Sequence, residues 1–258
     1  MPIHLAFDGA IARVTLDNPG KLNALSVAMW RDLRAAFIDI AARDGVHCVV
    51  LRGAGGHFAA GADIAEFPRE RFDIASGRRY HLEVIAPALA AIRDAPQPVV
   101  AALEGNCVGG GLEIASVCDL RIAAEGSRLG APVGKLGFPL ALPELAPLLR
   151  LVGPGVAAEL LLAGRLLEAR EALAKGVVQR VVPPDALEAA VDETVQGVLS
   201  GSPLAARLNK RNLQMLMAQG GVFSDAQLDA SFAFFSSGDY AEGMRAFLER
   251  RRPRFTGR

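Results

Sequence analysis

The sequence predicts an α/β core followed by a helical C-terminal module, and three observations carry that reading. Short apolar or alternating segments concentrate in the early part of the chain, whereas helical spacing dominates the later part. The stretch PVVAALEGNCVGGGLEIASVCD, from Pro98 to Asp119, joins an apolar run to an apolar helix through a glycine-dense turn. At 258 residues the chain is long enough for one large core or two small ones.

Ile3 to Phe7 and Ala10 to Leu16 alternate in polarity and are separated by Asp8-Gly9, which predicts a hairpin. Ser26 suits the N-cap of a helix running to about Arg43, with Met29, Leu33, Ala36, Phe37 and Ile40 on one face. Cys48 to Leu51 reads as a buried strand, and the small-residue segment HFAAGADI, His57 to Ile64, follows it. Phe72 to Arg93 has helical spacing interrupted by Gly77 and Pro87, so a bend or frayed region is expected there.

Val99 to Leu103 is apolar throughout, as a strand buried on both faces should be. Leu120 to Ala123 reads as a further strand, and Gly126 to Pro143, rich in Gly and Pro, as loop with short strand. Helices are expected over Leu145–Leu151, Pro154–Ala163 and Glu168–Lys175, then a short strand over Val177–Val182. The remainder is helical: Asp185–Leu199, Pro203–Ala218, Asp225–Ser236 and Asp239–Glu249.

Composition excludes several function classes. Lys plus Arg and Asp plus Glu are both 28, so no global field draws nucleic acid or an anionic membrane. No run of 18 apolar residues occurs, and the N-terminus lacks a basic region followed by an apolar one, which reads as cytoplasmic. Cys48, Cys107 and Cys118 lack CxxC spacing, and four scattered histidines form no HExxH, so neither disulfides nor a metal site is expected.

The chemistry gathers around Glu113. Gly109-Gly110-Gly111 removes every Cβ ahead of it, so bare N–H groups can lie against a ligand. Leu112, Ile114, Ala115 and Val117 then surround the carboxylate with apolar groups, a costly setting unless the charge is paired or used. Alternatively, Glu113 caps the first helical turn near the positive end of the dipole. GNCVGGGLE matches neither GxxxxGK[ST] nor GxGxxG, which argues against a nucleotide loop. Phe58–Ile64 and Asn106–Glu113 both follow buried strands, and two backbone donors converging on one oxygen are what an oxyanion hole requires.

On these residues the sequence resembles the crotonase superfamily, also called the enoyl-CoA hydratase/isomerase family. HFAAGADIAEF (His57 to Phe67) is similar to its first oxyanion motif and GNCVGGGLEIASVCDLRIAA (Gly105 to Ala124) to its second. NPGKLNAL (Asn18 to Leu25) upstream and the arginine-rich FLERRRPRF (Phe247 to Phe255) extend the likeness over essentially the whole chain.

The resemblance implies a spiral of ββα units over residues 1–195 and a helical oligomerisation module over 196–258, assembled as a homotrimer or a hexamer of paired trimers. It implies oxyanion donors at the N–H groups of Ala60 and Gly110, and a coenzyme A site lined by Lys21, Leu22, Ala60, Asp63 and Ile64. Coenzyme A would enter as part of the acyl-CoA substrate, with no separate cofactor. Glu113 matches the first of two glutamates that hold and activate water in hydratases of the family. The second does not match: LGAPV, Leu129 to Val133, places Val133 at that position. Glu144, in the altered loop GFPLALPEL, is either a replacement or a solvated residue at a helix start. Tyr80 and His81 would border the acyl pocket without a chemical role, and Asp119 reads as a strand-edge or capping carboxylate.

The expected activity is hydration or dehydration of a 2-enoyl-CoA. The alternatives are double-bond isomerisation and non-catalytic acyl-CoA binding. From Arg245 to Arg258 six arginines face one acid, Glu249, so this tail either binds the phosphates of coenzyme A or is simply solvated.

Overall fold

The computed structural model describes residues 2–219 and 221–258. The expected hairpin is formed by β1 (Ile3–Asp8) and β2 (Ile11–Leu16), which pair antiparallel. Helix α1 (Val27–Ala41) begins where expected: the Ser26 hydroxyl accepts the Met29 N–H at 3.2 Å. Its stripe Met29, Trp30, Leu33, Phe37 and Ile40 is fully buried.

β3 (Cys48–Gly53) pairs parallel with β2 and leads through the small-residue segment to a short helix, α2 (Phe67–Glu70). The interrupted helix does not fray. α3 (Ile74–Arg79) passes into a π-helical turn over Tyr80–Ile85 and then α4 (Ala86–Asp94). Pro87 has no N–H to give, and the Ala86 N–H reaches five residues back to the His81 carbonyl, so the turn widens instead of breaking.

β4 (Val99–Leu103) is buried along its whole length and divides its side chains between two cores. Val99, Ala101 and Leu103 join the large cluster under α1, α4 and α5 (Gly110–Val117). Val100 and Ala102 face the second cluster, covered by Leu187, Ala190, Val191 and Val195 of α8 (Leu187–Ser200). With β6 (Leu120–Ala124) and β9 (Arg180–Val182) these strands make a six-stranded sheet of order β1-β2-β3-β4-β6-β9, parallel after the first pair.

A second, three-stranded sheet was not foreseen: β5 (Asn106–Val108), β7 (Arg128–Gly130) and β8 (Leu166–Glu168). From β4 to β7 the chain alternates between the two sheets; β8 stays in the small sheet and β9 returns to the large one. Leu145–Leu151 and Pro154–Ala163 lie in one helical span, α6 (Leu142–Leu161), kinked where Gly153 takes φ 72°. α7 (Ala169–Ala174) leads on to β9.

The C-terminal helices are α9 (Pro203–Gln219), α10 (Asp225–Phe232) and α11 (Gly238–Leu248). The boundary expected at residue 195 falls inside α8, whose Val195 packs on the sheet, so we place the start of the helical module at α9. Lys210 of α9 ties that module to the core, its ammonium lying 2.7 Å from Asp119 and 3.0 Å from the Gln97 carbonyl. Asp119 also accepts the Val99 N–H, the strand-edge role expected of it.

The arginine-rich tail is neither wholly solvated nor wholly free for a ligand. Arg251 pairs with Glu242 and Glu249, and Asp239 accepts the N–H groups of Thr256 and Gly257. Among the described residues no helix is long and apolar enough to cross a membrane.

Candidate active site

The two small-residue segments meet through backbone pairing. The Ala59 N–H donates to the Asn106 carbonyl, and the Val108 N–H donates to the Ala59 carbonyl, both at 2.9 Å. This bridge brings the loop after β3 against the turn that opens α5. Glycine is required there: Gly109 has φ 52°, and a Cβ on Gly110 would lie 2.9 Å from Leu25 and 3.0 Å from Trp30. Gly110 is the first residue of α5, so its N–H has no acceptor within the helix.

The structure corrects the other expected donor. The Ala60 N–H donates to the Leu22 carbonyl at 3.0 Å and is therefore occupied. Two residues on, the Leu25 N–H donates to the Gly61 carbonyl at 2.7 Å and the Asp63 N–H donates to the Leu25 carbonyl at 2.9 Å. In such a parallel bridge the intervening residue turns its own N–H and C=O the other way. That residue is Ala62, whose N–H has no acceptor among the described residues, and it lines the same cavity as Gly110 and Glu113.

The cavity, of about 100 Å³, is bounded by Trp30, Tyr80, His81, Val133 and Phe138 as well as those residues. Glu113 sits in the first turn of α5 and is 7% exposed. Its Oε2 has no hydrogen-bond partner among the described residues. Burial pushes the carboxyl up to about 8; the neighbouring Glu144 adds to the rise and Arg71 opposes it. Arg71 stacks over Phe67 at 4.3 Å and Phe138 at 4.2 Å, forming one wall. Burial, and after it the charge of Glu113, holds the Tyr80 hydroxyl well above its usual range.

Val133 does face this cavity, so an apolar group stands where the resemblance leads one to expect an acid. Glu144 is not the solvated residue that was one of its two readings. It is fully buried, and its Oε1 lies 3.2 Å from Nδ1 of His81, which lines the cavity. Sequence spacing gave no sign of this pair, because the partners are 63 residues apart and meet only when the π-helical turn packs on α6.

Of the residues expected to hold coenzyme A, Ala60 and Ile64 line the cavity, while Lys21, Leu22 and Asp63 lie outside its lining. Lys21 and Asp63 are joined at 2.6 Å, while Leu22 and Ile64 stay exposed although apolar. The loop is held open by the Asn23 side chain, which donates to the carbonyls of Ala54 and His57, and Leu22 itself has φ 49°. Among the described residues no cluster of three or more His, Cys, Asp or Glu could hold a metal ion.

A chain that passes between two sheets and sets a carboxyl and two open N–H groups on one cavity defines the class, and comparison with known proteins agrees. The profile of the enoyl-CoA hydratase/isomerase family matches residues 6–258, and the chain belongs to that family. It is similar to a solved enoyl-CoA hydratase/carnithine racemase from Magnetospirillum magneticum, with 45% identity and a TM-score of 0.97, covering 100% of this chain and 96% of the other. A solved enoyl-CoA hydratase from Bacillus anthracis matches at 30% identity and a TM-score of 0.91 over 100% of both chains. The short-chain-enoyl-CoA hydratase of Clostridium acetobutylicum is 32% identical over 95% of this chain and 94% of its own. The fold is therefore that of the crotonases, as the sequence led us to expect.

Proposed function

We propose that this protein hydrates a 2-enoyl-CoA thioester, and runs the reverse dehydration, with Glu113 as the base that activates water. The observation that carries the reading is the meeting of the Glu113 carboxyl with the open N–H groups of Ala62 and Gly110 on one cavity. The two N–H groups grip the thioester oxygen and stabilise the enolate as charge develops there. Ala62 thus takes the role first expected of Ala60.

A carboxyl raised toward neutrality is a stronger base when ionised than one in water, and its affinity for a proton suits reversible transfer near pH 7. Coenzyme A enters as part of the substrate. Lys21, Leu22, Asp63 and Ile64 are assigned to it because Ile64 lines the cavity with its side chain half exposed, and the paired Lys21 and Asp63 and the exposed Leu22 offer charged and apolar groups beyond the lining. Ala60 supports that rim through its bond to Leu22. The likeness to proteins named enoyl-CoA hydratase supports the same activity.

A homotrimer, or two trimers paired, is part of the proposal. Phe232, Phe235, Phe247 and Leu248 leave more apolar surface on the C-terminal helices than a monomer ordinarily exposes. The activity is tested with a panel of CoA thioesters in deuterium oxide, read by mass spectrometry. Addition of water supports hydration; deuterium gained at carbon without water would move the assignment to isomerisation.

A further inference from the structure

Hydration moves two protons: one leaves the water that adds to C3, and one arrives at C2. Glu113 accounts for the first, and Val133 cannot supply the second. Resting on the hydration reading, we propose that His81, oriented by Glu144, is the group that delivers the proton to C2.

Glu144 is 0% exposed and ends against the ring with Oε1 3.2 Å from Nδ1. A carboxyl group so completely removed from water is costly without a hydrogen-bond partner. Among the described residues His81 is the only side chain recorded within hydrogen-bond reach of it. In the proposed arrangement Glu144 accepts and Nδ1 carries the hydrogen of this bond. Nε2 has no partner among the described residues and belongs to a side chain that lines the cavity with Glu113. In its protonated form the ring therefore donates once to Glu144 and holds a second N–H toward the cavity. The π-helical turn over Tyr80–Ile85 sets the ring at this wall, and the edge of Tyr80, with ring centroids 5.2 Å apart, packs against it.

The step balances. The water oxygen bonds to C3 as its proton passes to Glu113, and the C2–C3 π pair becomes an enolate whose oxygen is held by Ala62 and Gly110. The enolate pair then takes the Nε2 proton at C2, giving the 3-hydroxyacyl thioester. Solvent carries the proton from Glu113 back to the neutral imidazole. Glu144 touches no substrate and is a positioning residue.

Two readouts separate the jobs: hydration of 2-butenoyl-CoA, and exchange of the C2 hydrogens of butanoyl-CoA with deuterium oxide, which needs no water addition. His81→Ala should lose hydration and exchange together, each roughly 10²–10⁴-fold, with butanoyl-CoA affinity within threefold of the parent. Added imidazole should restore part of both. Glu113→Gln should lose hydration and keep exchange. Glu144→Gln should slow exchange at least roughly tenfold with affinity unchanged, which a merely structural role would not do. His81→Gln, measured alongside, guards against misfolding of the alanine form.

Exchange that survives in His81→Ala or His81→Gln, or that disappears in Glu113→Gln, overturns the assignment. A parent that exchanges through His81 yet adds no water would sink the hydration reading and leave His81 in place. Hydration as fast in His81→Ala as in the parent would do the reverse. A parent that does neither removes both.

Discussion

Ala60 gives its N–H to the carbonyl of Leu22 at 3.0 Å, and that bond decides which alanine of the AAGA run can hold a thioester oxygen. Ladder parity leaves the Ala62 N–H free on the cavity that Gly110 also lines, so the donors we propose for the oxyanion hole are set by pairing with the loop at Leu22 to Leu25. The chemistry of the site then rests on how closely α5 approaches that loop.

Gly110→Ala tests the approach. The added Cβ would meet Leu25 and Trp30, both fully buried, at 2.9 and 3.0 Å. Overpacking of this kind costs about 1–3 kcal/mol and displaces the N–H donor. Turnover should fall roughly 10²–10³-fold, the loss expected when one oxyanion donor is misplaced. A kinetic assay showing parental turnover would mean that the Gly110 N–H is not such a donor.

The raised proton affinity of Glu113 has a consequence for stability. Its folded value of about 8 lies above the ordinary carboxyl value of 4.5, so the unfolded chain gives up this proton first as pH rises. The favourable contribution is full below about 4.5 and is lost progressively as pH climbs through about 8. Glu113→Gln cannot titrate, so its Tm should exceed the parent's by a margin that is absent near pH 4.5, grows with pH and levels off above 8. Thermal melts of both proteins across that range would show it; a margin independent of pH would contradict the burial argument.

Val133→Glu restores a carboxyl where the family resemblance leads one to expect an acid. If His81 already serves C2, the new group adds only a second buried charge beside Glu113, and like charges raise each other's proton affinity. Hydration should be no faster than in the parent. A rate gain of tenfold or more would show that a second acid at this position had been limiting.

Lys210→Met examines how the C-terminal helices are held. The ammonium is 6% exposed and bridges Asp119 and the Gln97 carbonyl, while Asp119 is 28% exposed. Breaking a buried pair costs about 3–5 kcal/mol, and the partial exposure of Asp119 favours the lower end. Denaturant titration at fixed protein concentration should read that loss; a change under about 1 kcal/mol would mean that apolar packing alone docks α9.

Much of the fold was legible because its signals are local. Val99 to Leu103 announced a strand buried on both faces, Ser26 a helix start, and Gly109 to Gly111 a place where backbone must come close to something. The small sheet was not legible, since strands as short as Asn106–Val108 carry no periodicity. Pro87 marked an irregularity, but only the packed helix shows that it is a π turn. The site divides the same way. Glu113 stands out by its apolar neighbours within one turn, whereas the choice of Ala62 over Ala60 depends on a bridge to Leu25. The pairing of His81 with Glu144 joins residues that no sequence window holds together.

Glu113 is proposed as the group that activates water for addition to a 2-enoyl-CoA. The most direct measurement incubates 2-butenoyl-CoA with the parent and with Glu113→Gln in ¹⁸O-labelled water and follows the thioester by mass spectrometry. The parent should place one labelled oxygen on the product, and Glu113→Gln should bind the substrate nearly as well but add the label roughly 10²–10⁴-fold more slowly. Label gained at the same rate by both proteins would contradict it.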